Sequence, residues 1–183
     1  LSQSVFFNYQ LLDNLLHWAR NQMQLEVAER RAFFINPLIE NNLRLFGKEA
    51  VLKQLKLESR VEDGCQVMAD QHMIDLVLRN LLANAIKFTE PGGTIRLATE
   101  KVGEAALKVF VTDSGVGISQ TALARILGEE QYSTRGTRNE KGTGLGLLLC
   151  REYIEKNGGT LQIESQIGKG STFFFTIALA PKH

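Results

Sequence analysis

Lys141-Gly142-Thr143-Gly144-Leu145-Gly146-Leu147 runs directly into the apolar segment Leu148-Leu149-Cys150. Three glycines at alternate positions let the backbone turn tightly and come close to a bulky anion. The periodic run that follows, through Tyr153 and Ile154, reads as a helix whose first turn aims unsatisfied N–H groups at that anion. It ends at Lys156, where Asn157-Gly158-Gly159 supplies a good C-terminal stop. Glycine turns before helices are common, so the stretch takes its meaning from what surrounds it.

Two other clusters bear on it. In Arg79-Asn80-Leu81-Leu82-Ala83-Asn84-Ala85-Ile86-Lys87-Phe88-Thr89, the residues Asn80, Asn84 and Lys87 share one helical face. Carboxamide oxygens suit a magnesium ion already partly satisfied by phosphates, and the lysine suits the phosphates themselves. The plainer reading is an exposed face of ordinary polar residues. Asp113-Ser114-Gly115-Val116-Gly117-Ile118 closes an apolar strand. A carboxylate there can accept from an exocyclic amine, and the two glycines let a flat ring pack on the backbone. The plainer reading is a strand-ending turn.

From residue 4 to residue 34 there is no glycine or proline, and Phe7, Leu11, Leu12, Leu15, Trp18, Met23 and Leu25 recur at three- and four-residue steps. That pattern predicts one long amphipathic helix, which needs a partner helix to bury its stripe. His17 lies on it and reads as a seam or polar residue, with no neighbouring carboxylate to activate it. Asn36 as N-cap and Pro37 at the first helical position start a second helix over 37–52. Residues 54–61 alternate like a strand, and Glu62-Asp63-Gly64 turns the chain. Asp70 caps a helix whose buried face is Met73, Ile74, Val77, Leu78, Leu81, Leu82 and Ile86. Strands follow at 94–101 and 107–111, then a short helix at 121–127 in a polar stretch, and strands at 160–164 and 171–179. The expected fold is α+β, a two-layer sandwich in which a mixed sheet is covered on one face by helices, preceded by the long helix. There is no internal repeat.

The 183 residues are 44% hydrophobic, ample for a core, and the 21 basic against 20 acidic side chains leave a charge of +1. Nothing there draws the chain to nucleic acid. Cys65 and Cys150 lie far apart in sequence and read as buried thiols in a reducing compartment. No apolar run approaches the roughly 20 residues that cross a bilayer. The chain starts at leucine, without a signal-peptide layout, and reads as a piece of a longer, cytoplasmic polypeptide with no membrane contact of its own.

Asn80-x-x-x-Asn84-x-x-Lys87, Asp113-x-Gly115-x-Gly117 and Gly142-x-Gly144-x-Gly146, in that order and on those elements, resemble the catalytic and ATP-binding domain of two-component sensor histidine kinases. That family has the Bergerat (GHKL) fold, shared with gyrase, Hsp90 and MutL. The resemblance covers residues 34–180 and extends to Tyr132-Ser133-Thr134-Arg135-Gly136-Thr137 and to Gly168-Lys169-Gly170-Ser171-Thr172-Phe173. Residues 1–33 resemble the second helix of the family's dimerisation and phosphoacceptor hairpin, leaving 34–183 as the catalytic domain.

The resemblance implies that Asp113 bonds the adenine amine, with Gly115, Gly117 and Ile118 around the ring. It implies that Asn84 and Asn80 hold Mg2+, that Lys87 faces the phosphates, and that Gly142, Thr143, Gly144, Leu145 and Gly146 line them. Thr172 completes the ATP-binding set, and residues 119–141 form a mobile lid. It further implies transfer of the γ-phosphoryl group of ATP to a histidine, relay to a response-regulator aspartate, and a homodimer through the hairpin. The family's acceptor signature, a histidine followed by an acidic residue and then a proline, is absent: His17, His72 and His183 do not match it. This chain is therefore expected not to phosphorylate itself. The family's phenylalanine motif is also faint, with Ile126-Leu127 and Tyr132 where phenylalanines often stand. The rival readings are an ATP-hydrolysing machine of the same fold, which would carry a glutamate where Asn80 stands, and a degenerate nucleotide-sensing or dimerising module.

Overall fold

A computed structural model describes residues 27–127, 136–138 and 144–181. Residues 1–26 of the expected hairpin helix, with His17, and His183, Tyr132, Lys141, Gly142 and Thr143 lie outside the described residues. Among those described, the chain opens on strand β1 (Arg31–Phe34), which pairs antiparallel with β3 (Gln66–Ala69). Residues 27–34 of the helix predicted through residue 34 are therefore not helical. Arg31 pairs with Ala69 and Phe34 with Gln66, and strands of four residues are too short to show alternation against a helical pattern.

Helix α1 (Ile35–Leu52) starts two residues before the expected point, with Phe34 as an uncapped N-cap. Asn36 is thus no cap but a first-turn residue whose amide donates to Asp63 Oδ1 at 3.3 Å. Pro37 is still tolerated, because the first four N–H groups of a helix have no partner within it.

The five-stranded sheet has the order β2-β4-β5-β7-β6. Strand β2 (Lys56–Arg60) runs parallel to β4 (Thr94–Val102), while β5 (Ala106–Asp113), β7 (Gly170–Ala178) and β6 (Leu161–Gln166) add antiparallel. One face carries Ile95, Leu97, Leu107, Val109, Val111, Phe173, Phe175 and Ile177, none more than 5% exposed. Each such side chain is worth about 2 kcal/mol over exposure. These join one core with α1, α2 (Gln71–Phe88) and α4 (Leu145–Lys156). On the opposite face, Lys108 Nζ lies over the Phe110 and Phe174 rings. The mixed sheet under one helical layer is the expected α+β sandwich.

The two longest site-bearing helices, α2 and α4, are antiparallel. Asp70 caps α2, its Oδ1 accepting from His72 and Met73 N–H at 3.0 and 3.1 Å. Asn157, which ends α4, packs on that same end: its Oδ1 accepts from Asp70 N–H at 2.7 Å and its Nδ2 lies 3.6 Å from Met73 Sδ. One turn further along α2, Cys150 Sγ reaches the Val77 carbonyl. Following this progression, the first turn of α4 comes beside the C-terminal half of α2, where Asn80 and Asn84 lie. Upstream, Arg30 donates to the Lys156 carbonyl at 2.6 Å and Glu29 N–H to Asp70. The chain therefore arrives at the end of both helices remote from those asparagines. Among the described residues no helix is long and apolar enough to cross a membrane, and both cysteines are buried and free. Burial pushes the Cys150 thiol up.

Candidate functional site

Asp113 ends β5 and is 5% exposed. It pairs in register with Ser171 of β7, so both side chains turn to the helix-covered face. Asp113 Oδ1 accepts Gly115 N–H at 2.8 Å, and the backbone N–H of Ser171 also bonds the carboxylate. Burial nevertheless outweighs these two donors and pushes the carboxyl up to about 6. Ser165 Oγ accepts Ile118 N–H at 2.8 Å, donates to the Gly170 carbonyl at 2.9 Å, and sits 2.9 Å from Ser171 Oγ. Asp113, Gly115, Gly117 and Ile118 are thus gathered on one short loop, backed by two serines.

Gly115 and Gly117 are demanded by the chain itself. A Cβ on Gly115 would lie 2.7 Å from Asp113 Oδ1 and 2.9 Å from the Phe88 carbonyl carbon. Gly117 has φ +72, and its Cβ would run into the Gln166 carbonyl. Gly117→Ala is expected to lower stability by about 2–4 kcal/mol, read as a drop in the urea midpoint. An unchanged midpoint would remove this account of the glycine.

Thr172 does not belong to this loop. It pairs with Thr112 on the face of the sheet away from the helices, its hydroxyl donating to Thr112 Oγ1 at 3.2 Å. The period of two puts Ser171, not its neighbour, beside the aspartate. Sequence reading missed Ser171 and Ser165, because only the register of β7 against β5 and β6 brings them there.

On α2, Asn80 is 8% and Lys87 6% exposed, while Asn84 is half-buried. A solvated helix face is therefore excluded for the first two. Asn80 Nδ2 donates to the Leu76 carbonyl at 3.0 Å, which turns its carbonyl oxygen away from that partner. Lys87 Nζ lies 4.6 Å from the Phe88 ring centroid. Across from them, Gly144 takes a left-handed φ of 73 as the N-cap of α4, and Leu145 and Gly146 open the helix. No carboxylate, histidine and cysteine groups gather in threes as a metal cage among the described residues. The carboxamides of Asn80 and Asn84 are the hard oxygen donors at this end.

The two ends are tied together through the last turn of α2. Val116 N–H donates to the Phe88 carbonyl at 3.1 Å, and Thr137 N–H to the Lys87 carbonyl at 3.0 Å. The stretch expected as a mobile lid is therefore anchored in part. Residue Thr137 docks on α2, and helix α3 (Gln120–Leu127) buries Ala122 and Leu123 and offers the Ile126 carbonyl to Arg151. A separate groove of about 480 Å³ opens at the far end of α2, lined by Phe33, Asp70, His72 and Met73 among others. It shares no residue with the loop or the asparagine face.

A family model described as histidine kinase-, DNA gyrase B- and HSP90-like ATPase matches residues 69–181, which contain the Asp113 loop and the α2 and α4 site residues. The chain belongs to this ATPase family. It is 36% identical over 181 residues to the sensor histidine kinase AruS of Pseudomonas aeruginosa, covering 93% of this chain and 18% of AruS. The catalytic domain of the histidine kinase ThkA, in a nucleotide-free form, is similar with a TM-score of 0.71 and 30% identity over 82% of this chain and 95% of that one. Full-length ShkA, solved in complex with AMPPNP, is similar with a TM-score of 0.78 and 26% identity over 94% of this chain and 36% of that one. The chain spans about a fifth of the length of the curated relatives it matches first, 18% and 22%. Within the family it is an ATP-binding domain of the sensor-histidine-kinase type.

Proposed function

We propose that this domain binds ATP between the Asp113 loop and the α2–α4 pair and transfers the γ-phosphoryl group to a histidine on another segment or chain. The phosphohistidine then passes the group to an aspartate of a response regulator. In this reading Asp113 accepts from the adenine amine and Gly115, Gly117 and Ile118 flank the ring. Gly144, Leu145 and Gly146, with Gly142 and Thr143, present N–H groups to the phosphates. Asn84 and Asn80 would hold Mg2+, which would neutralise charge on the phosphates, and Lys87 would serve the same end. In phosphoryl transfer the protein chiefly positions groups and offsets charge, so this set suffices without a nucleophile of its own.

The observation that carries transfer over hydrolysis is Asn80. It is nearly buried, its amide N–H2 is bound to the Leu76 carbonyl, and a carboxamide cannot take a proton from water. The parent protein is expected to work as a homodimer in the cytoplasm, with the hairpin outside the described residues.

The test mixes the chain with γ-labelled ATP, Mg2+ and a separate hairpin carrying the histidine-acidic-proline signature. Acid-labile label on the hairpin, and none on this chain, is the expected result. Release of inorganic phosphate without protein label would replace transfer by hydrolysis. Nucleotide binding with neither product would make the domain a sensing module.

A further inference from the structure

The last four carbonyls of a helix have no partner within it, and in α2 all four are satisfied from outside the helix. Ala85 accepts the N–H and hydroxyl of Thr89, and Phe88 accepts Val116 N–H. Ile86 accepts the ammonium of Lys53 at 2.7 Å, and Lys87 accepts the same ammonium at 2.9 Å together with the N–H and hydroxyl of Thr137 at 3.0 and 3.2 Å. Thr89, Val116 and Thr137 are neutral donors. Lys53, just past the end of α1, brings a charge into a place where it is 1% exposed.

Burying an ammonium is costly, and hydrogen bonding alone does not call for one where neutral donors already serve the same turn. The charge answers a different problem. Aligned peptide dipoles place roughly half a negative charge at a helix C-terminus. Lys87 stands in the last turn of α2, with Asn84 about one turn and Asn80 about two turns before it, so the negative pole lies at the residue assigned to the phosphates. The first turn of α4 has the opposite, favourable polarity. α2 is turned the wrong way for a polyanion unless its pole is offset.

We infer that Lys53 is an electrostatic positioning residue for nucleotide binding. Its buried ammonium cancels the negative end of α2 and holds the turn that carries Lys87, without touching the nucleotide. Thr137 shares the Lys87 carbonyl, so the same turn also holds residue Thr137. The inference rests on the ATP reading above.

The test compares Lys53→Met with the unaltered chain for binding of adenosine, AMP, ADP and ATP by calorimetry. An electrostatic role predicts a loss that grows with phosphate charge: about tenfold for ATP, about threefold for AMP, and adenosine unchanged within about twofold. A structural role would weaken all four ligands alike, and that result, or no loss for ATP, overturns the inference while leaving the nucleotide reading intact. Failure of the unaltered chain to bind ATP overturns both. Should Lys53→Met lose cooperative unfolding, Lys53→Gln, neutral but still a donor, takes its place in the same comparison. Thr137→Val, which removes a hydroxyl and no charge, is expected to affect ATP and adenosine equally.

Discussion

Asp113→Asn is expected to abolish measurable ATP binding, a loss of at least about a hundredfold. The backbone N–H groups of Gly115 and Ser171 already point at this side chain. A carboxamide must therefore aim its oxygen at them and its N–H2 outward, toward the adenine amine. Two donors then face each other in a buried site, where an unpaired polar group is costly. The loop itself should survive, because Gly115 N–H keeps an acceptor, so the variant should still unfold cooperatively. Undiminished affinity in a folded Asp113→Asn variant would remove this residue from the adenine site.

The same carboxyl predicts a pH dependence. Its value in the ligand-free fold is raised to about 6 from 3.8 by burial. The ionised carboxylate is the stronger acceptor for an amine, so ATP affinity should fall as pH drops through about 6. Stability of the ligand-free domain moves the other way. A carboxyl raised above its unfolded value holds its proton more tightly when folded. Its stabilising effect is complete below about 4 and is lost as pH rises through about 6, up to about 3 kcal/mol in all. ATP should consequently stabilise the domain more at pH 7 than at pH 5, and Asp113→Asn should flatten both trends. Equal nucleotide stabilisation at the two values would count against the assignment.

How far the residues alone disclosed this site depends on which kind of contact is considered. The cap Asp70, helix α2, the turn at Asn157-Gly158-Gly159 and the Asp113 loop are local patterns, and each stands where the spacing placed it. β1 and β3 were hidden because four-residue strands draw their stability from pairing with residues distant in the chain, as Arg31 does with Ala69 and Phe34 with Gln66. Thr172 was misplaced for the converse reason: its neighbours are legible, but a shift of one residue exchanges the faces of a strand. Ser171 and Lys53 reach the site only through register and helix packing. Lys53 in particular reads locally as one more surface lysine after a helix, yet it is buried against carbonyls 33 and 34 residues away.

The second large effect concerns Asn84. Among the α2 site residues, Asn80 has its amide N–H2 engaged by Leu76 and is nearly closed off, whereas Asn84, one turn later, is half-buried and better placed to meet a cation arriving with phosphates. A neutral carboxamide oxygen suits Mg2+ that brings water and phosphate oxygens with it. Asn84→Ala should therefore leave nucleotide binding weak and indifferent to Mg2+, and lower phosphoryl transfer to a supplied histidine hairpin by at least about a hundredfold. The fold is not at risk, because alanine at a half-buried helical position gains helix propensity. Asn84→Asp supplies the control: it retains an oxygen ligand, so Mg2+ dependence should persist or strengthen. If Asn84→Ala keeps both full transfer and the unaltered Mg2+ response, the metal lies elsewhere and the polar face of α2 is structural.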